Sequence, residues 1–330
     1  MFRTPSGEDV FIVDTHVHLW DASPANWRNA TYAEGWINCF YDYHRNLSPP
    51  EYVWPLELYQ KYGDERMAAD LFDKGYVDVG ILQPTYLKDF YTNGFNTVDS
   101  QAFLPEKYPG RFILNGRFDP RDGDEGLKSF EEEVQRHNLK GVKLYTAEWQ
   151  GDSRGWRLDD PAARPYFDKC AELGVVNIHV HKGPTIWPLT RDAFDVSDVD
   201  GVATDYRDAG LRFIVEHCGL PRLEDFCWIA VQEPNVYAGL AVVMPFIHAR
   251  PYYFAEVLAE LLWWVGEDRM MWSSDYALWE PKWLVERFWE FELPDEVKEK
   301  SGVELTEDAK KKILGLNAAK LYDLPVPAVA

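Results

Sequence analysis

Five of the eight histidines in this sequence, His16, His18, His179, His181 and His217, fall at the ends of short β-branched runs. His16 and His18 are two residues apart in Asp14-Thr15-His16-Val17-His18, so on an extended chain both imidazoles leave the same face. Two imidazoles at that spacing can chelate one divalent cation, with ring nitrogens about 2.0–2.1 Å from zinc. The plain alternative is an exposed strand with two surface histidines. The buried-type run Phe11-Ile12-Val13 ahead of the pair argues against it. His179 and His181 repeat the spacing. His181, directly before Lys182-Gly183-Pro184, is the better third ligand, while His179, one pleat deeper, is the other candidate for that place or a supporting donor, a substrate contact or a core histidine. Asp275, after Ser273-Ser274, offers a carboxylate that can bind a cation and take a proton from water, or cap a following helix. His217, just before Cys218-Gly219, fits a ligand, a general acid or base, or a group that polarises substrate.

These residues need a scaffold that brings several strand ends together. Eight runs qualify as strands: Val10–Val13 leading into His16 and His18, Val77–Gln83, Arg111–Asn115, Gly141–Tyr145, Val175–His181, Leu211–His217, Val236–Leu240 and Met270–Asp275. Amphipathic segments such as Gly126–His137, Pro161–Leu173 and Tyr252–Val265 lie between them, the alternation that gives βα units and a parallel sheet. Eight such units predict an α/β fold, a (β/α)8 TIM barrel with catalytic groups at the C-terminal strand ends. A doubly wound open sheet would usually carry a Gly-rich turn after its first strand, where this chain has His-Val-His. No linker divides the sequence, which predicts one domain over residues 1–330. Residues 20–61, rich in Trp, Tyr and Pro, read as a lid-like insertion after the first strand. Residues 306–322 read as one more helix on the barrel's outside.

Further polar residues fall where they could meet a substrate. Arg117 ends the third run, Glu148 follows the fourth, His248 follows the seventh, and His44 lies in the aromatic insertion. Solvated loop positions are the competing reading for each. The chain contains 14 Trp, 18 Tyr and 18 Phe, more than a core needs, and their density in the insertion suits a flat, cyclic or aromatic small molecule.

Composition removes other classes. With 34 Lys+Arg against 55 Asp+Glu the net charge is −21, which repels nucleic-acid phosphates and anionic lipid. No apolar run is long enough to span a bilayer, and no signal peptide is visible at the start. Four cysteines with no CxxC pair predict free thiols and a reducing, cytoplasmic setting. Surface tryptophans permit a homodimer.

Val13-Asp14-Thr15-His16-Val17-His18, His181-Lys182-Gly183, Glu216-His217-Cys218-Gly219 and Ser274-Asp275, in that order, resemble the amidohydrolase superfamily. They most resemble its amidohydrolase-related branch of lactonase-type hydrolases and aminocarboxymuconate-semialdehyde decarboxylase-like enzymes, from about Phe11 to Leu321. The resemblance implies one divalent ion, zinc first and manganese second, held by His16, His18, His181 and Asp275, with His217 catalytic beside Asp275. Lys143 stands where binuclear members carry a carboxylated lysine, but in this branch it reads as a barrel-interior or substrate-carboxylate residue. The implied activity is metal-dependent hydrolysis of a lactone, ester, amide or C–C bond in a small cyclic or aromatic compound. Non-oxidative decarboxylation of an aromatic or vinylogous carboxylate is the alternative.

Overall fold

The computed structural model describes residues 1–327. A short antiparallel hairpin, β1 (Phe2–Arg3) with β2 (Asp9–Val10), precedes the main fold. Eight parallel strands follow: β3 (Val13–Val17), β4 (Val79–Leu82), β5 (Phe112–Leu114), β6 (Gly141–Leu144), β7 (Asn177–His181), β8 (Arg212–Glu216), β9 (Val236–Gly239) and β10 (Met270–Met271). They pair in chain order as two arcs, β3–β5 and β6–β10. Single parallel bridges, Gly116 to Val142 and Val17 to Tyr276, link the arcs at both seams. The fold is the expected α/β TIM barrel.

The first run is displaced, its strand starting at Val13 and running to Val17, and the other seven are each trimmed by one to four residues. The eighth is cut most, because the Trp272 N–H leaves the ladder for the Ile313 carbonyl at 2.9 Å. Asp275 therefore lies four residues beyond β10 and not at its end. Between strands, the helix Gly123–His137 buries Phe130 and Val134, one turn apart, and stops at Asn138 in the left-handed conformation.

Two segments differ from their sequence reading. The insertion is ordered around an 18-residue helix, Ala30–Leu47, whose N-cap Asn29 accepts from the Tyr32 N–H. Its buried face carries Trp36, Ile37, Phe40 and His44. Proline and aromatic content masked this helical spacing. The C-terminal segment is one helix over residues 307–321, as read, π-helical in its middle at Lys312–Leu316, but it lies across the barrel floor and not on the outer flank. Ala318, Ala319, Leu321 and Tyr322 pack there against Phe11, Val13, Val79 and Met271, residues at the beginnings of strands.

All four cysteines are free thiols. Among the described residues no helix is long and apolar enough to cross a membrane.

Candidate metal and active site

His16 leaves β3 into the barrel, and His18 follows where that strand ends. Asp14, two residues earlier, ties this strand to the eighth. Its carboxyl accepts from the Ser274 N–H at 3.0 Å and the Ser274 hydroxyl at 2.5 Å. Burial pushes the Asp14 carboxyl up to about 7 against these bonds. Ser274 in turn presents Asp275, whose Oδ1 lies 3.2 Å from His18 Nε2 and 3.7 Å from His16 Nε2. Burial raises the Asp275 pKa, but His16 and His18 outweigh it and hold the carboxyl well below the usual range.

The tautomers follow from the hydrogen bonds. His18 Nδ1–H donates to the Gln83 carbonyl at 2.6 Å, which leaves the Nε2 lone pair facing Asp275. His16 Nε2 accepts from the Lys143 ammonium at 2.8 Å. Burial first, and then Lys143, bring the His16 pKa down to about 3, so the ring is neutral at neutral pH. Burial also lowers Lys143, to about 8. His16, His18 and Asp275 each offer a donor atom within 4.8 Å of the others, and all three residues are buried. Two neutral imidazoles and one carboxylate, with only an ammonium for cationic company, form a donor set that fits a divalent ion.

His217 and His181 line the same cavity as a pair. His217 Nδ1–H donates to the Ala241 carbonyl at 3.0 Å, so its Nε2 accepts from His181 Nδ1–H at 2.9 Å. Burial lowers both pKa values and keeps both rings neutral. His181 thus faces His217 and stands outside the three-residue donor cluster.

Behind this layer runs a chain that the sequence reading missed. Glu216 Oε2 is 3.0 Å from His16 Nδ1, a close approach that is poorly aligned for a hydrogen bond. Glu216 Oε1 accepts from His179 Nδ1–H at 2.6 Å. His179 Nε2 accepts from the Tyr322 hydroxyl at 2.7 Å, and Asn115 donates to that hydroxyl at 2.9 Å. Burial works against the Glu216 charge, but His16 and His179 keep its pKa well below the carboxylate range. A fully buried acid in the run Phe213-Ile214-Val215-Glu216 was the available signal, because buried charge is kept only where it is paired.

Backbone strain concentrates here. His217, Cys218, Val242 and Asp275 have φ of 65°, 52°, 65° and 56°, each an unfavourable conformation for a residue with a Cβ, at roughly 1–3 kcal/mol apiece. The turn at His217 breaks strand alternation, so that Glu216 and His217 both reach the centre. Glycine makes the room. A Cβ on Gly239 would lie 2.4 Å from Glu216 Oε2, and one on Gly183 would lie 2.5 Å from His217 Cβ.

The cavity above is walled by Phe40, Phe95, Ile186, Val242 and Leu278, together with Tyr43, Thr85, Tyr145 and Pro184. Of the residues singled out in the sequence, His16, His18, Lys143, His181, His217 and Asp275 meet in it. The others lie elsewhere. His179 sits beneath it in the Glu216–Tyr322 chain. Arg117, three residues past β5, stacks on Tyr86 at 4.3 Å and pairs with Asp119 at 3.3 Å and Glu148 at 3.1 Å, lining a separate outer cleft. That pairing also accounts for Glu148. His44 fastens the insertion: its Nδ1–H donates to the Leu278 carbonyl at 2.5 Å and its Nε2 accepts from the Trp54 N–H at 2.8 Å. His248 packs against the Trp283 ring, 6.1 Å away.

A family model described as Amidohydrolase matches residues 13–324. No curated protein matches the chain. Solved structures that share the fold include an uncharacterised TIM-barrel protein from Bordetella bronchiseptica, at 17% identity and TM-score 0.66, covering 96% of this chain and 99% of that one. A 5-carboxyvanillate decarboxylase from Novosphingobium aromaticivorans, complexed with manganese and 4-hydroxy-3-methoxy-5-nitrobenzoic acid, is 18% identical with TM-score 0.59 and 96% coverage of both chains. A candidate 2-pyrone-4,6-dicarboxylic acid hydrolase from Pseudomonas putida is 16% identical with TM-score 0.56, covering 97% of this chain and 100% of that one.

Proposed function

The chain belongs to the amidohydrolase family, and from that premise we propose that it is a mononuclear metal-dependent hydrolase of a small, flat, ester-like or lactone-like compound. The observation that carries this reading is the convergence of His16 Nε2, His18 Nε2 and Asp275 Oδ1 in a closed, apolar-walled cavity. In the proposal these three hold the ion, zinc or manganese. Bound there, the ion supplies Lewis acidity, lowering the pKa of water toward about 7 and polarising a carbonyl. Asp275 takes the water's proton. Its depressed pKa makes it a poor base for ordinary water, so it serves only where the water is already acidified. His217, neutral at rest with its Nδ1–H fixed on Ala241, accepts at Nε2 the proton that Asp275 took from the water and delivers it to the leaving group. The Lys143 ammonium steadies the developing negative charge.

Decarboxylation is the second reading, favoured by the apolar wall, which would strip water from a substrate carboxylate and raise its energy relative to a charge-delocalised transition state. Isotopes separate the two. Aryl esters, lactones and hydroxybenzoates are offered in H2 18O and in D2O. Hydrolysis places 18O in the acid product; decarboxylation releases carbon dioxide and places deuterium on carbon. Absence of both labels across the panel contradicts the proposal.

A further inference from the structure

The cavity also restricts what can enter it. Among the described residues its only Lys or Arg is Lys143, at the metal end beside His16. The opposite wall, Phe40, Phe95, Ile186, Val242 and Leu278, offers no side-chain donor and no charge. Arg117, the other cation expected to meet a substrate carboxylate, is committed to Asp119 and Glu148 in the outer cleft. The remaining wall carries the hydroxyls of Tyr43, Thr85 and Tyr145, and no charge. Tyr145 is buried, and its hydroxyl has no partner among the described residues. Burial raises its pKa far above the ordinary value, so it is a neutral donor. Its ring lies 4.4 Å from that of His181, between the metal end and the apolar wall.

Resting on the proposed function of this site, we infer that its substrates carry a single anionic or metal-seeking head, on a flat apolar body with one oxygen that accepts from Tyr145, and that dicarboxylates are excluded. A head group at the metal end meets Lys143. A second carboxylate would face hydrocarbon with no cation or N–H to replace its water, and an uncompensated buried charge is strongly disfavoured. The Tyr145 phenol fixes the body's orientation, because leaving that donor unmatched forfeits a hydrogen bond.

Equilibrium binding of benzoate, 3-hydroxybenzoate and isophthalate to the metal-loaded protein, by calorimetry, tests this. Benzoate is expected to bind at least about tenfold more tightly than isophthalate. 3-Hydroxybenzoate is expected to gain over benzoate in the wild type and to lose that gain in Tyr145→Phe. A cation added to the far wall, in either Ile186→Arg or Leu278→Arg, is expected to improve isophthalate relative to benzoate; two sites guard against one variant failing to fold. Isophthalate binding as tightly as benzoate in the wild type overturns the inference, as does a benzoate affinity that Lys143→Met leaves unchanged. Because binding and not turnover is read, the outcomes separate. Protein that selects benzoate but turns over no ester, lactone or hydroxybenzoate contradicts the proposed function and leaves the selectivity standing.

Discussion

Glu216 Oε2 lies 3.0 Å from His16 Nδ1, and both side chains are closed to solvent. A carboxylate behind a ligating imidazole fixes the ring's tautomer and raises its basicity. Here it stands at the Nδ1 edge of His16, opposite the Nε2 edge that meets Lys143 and Asp275. Glu216→Gln keeps the shape and removes the charge. Metal affinity, read by competition with a chromophoric chelator, is expected to fall about 10- to 100-fold. Unchanged affinity would mean that the carboxylate only fills space.

Lys143 should act on metal and anion in opposite directions. Its ammonium donates to His16 Nε2, the atom assigned to the ion, and so competes with it. Lys143→Met is expected to bind metal more tightly, by several-fold, while turnover and anion binding fall. If Lys143 instead bridged two ions as a carbamate, the variant would lose metal; stoichiometry by atomic emission decides between the two.

Tyr322 reaches the site from below. Its hydroxyl donates to His179, which holds Glu216. Tyr322→Phe removes that donor from a buried network, at about 1–3 kcal/mol. Chemical denaturation is expected to report this loss together with a smaller drop in metal affinity. A change in stability alone would assign Tyr322 to the floor and not to the site.

His44 predicts a pH dependence. Burial lowers its pKa from 6.5 to about 4 against the hydrogen bond to the Leu278 carbonyl, and protonating Nε2 would break the bond from the Trp54 N–H. Above 6.5 folded and unfolded states are both neutral and the group has no effect. As pH falls from 6.5 toward 4 the unfolded chain takes up a proton that the folded one refuses, so stability is lost. Between pH 7.5 and pH 5 the wild type is expected to lose about 2 kcal/mol more than His44→Asn, from about 1.4 kcal/mol per pH unit below 6.5. Equal losses by urea denaturation at both pH values would remove His44 as the latch of the insertion.

Sequence carried the barrel and three of the four donors it named, because both depend on local pattern; His181, the fourth, faces His217 instead. Period-two spacing put His16 and His18 on one face, and strand-end position put Asp275 and His217 at the same mouth. What stayed hidden depended on contacts distant in sequence. Glu216 gained its role from a left-handed turn at His217 that breaks alternation, which no spacing rule anticipates. Arg117, read as a strand end but lying three residues past β5, and Glu148, read just past a strand, neutralise one another in a separate cleft. His44 was placed in the insertion, but its partners are backbone groups of Trp54 and Leu278, invisible to residue type. Tyr322 sits in a segment read as outer packing that in fact forms the floor.

The central claim is that His16, His18 and Asp275 hold one divalent ion. Its most direct test is metal content per chain by atomic emission, in protein purified without added metal, for the wild type and for His16→Ala/His18→Ala. The account predicts about one equivalent of zinc or manganese in the wild type and none in the variant, whose fold is checked by circular dichroism. A wild type that holds no metal after incubation with either ion, or a folded variant that keeps its full equivalent, would contradict it.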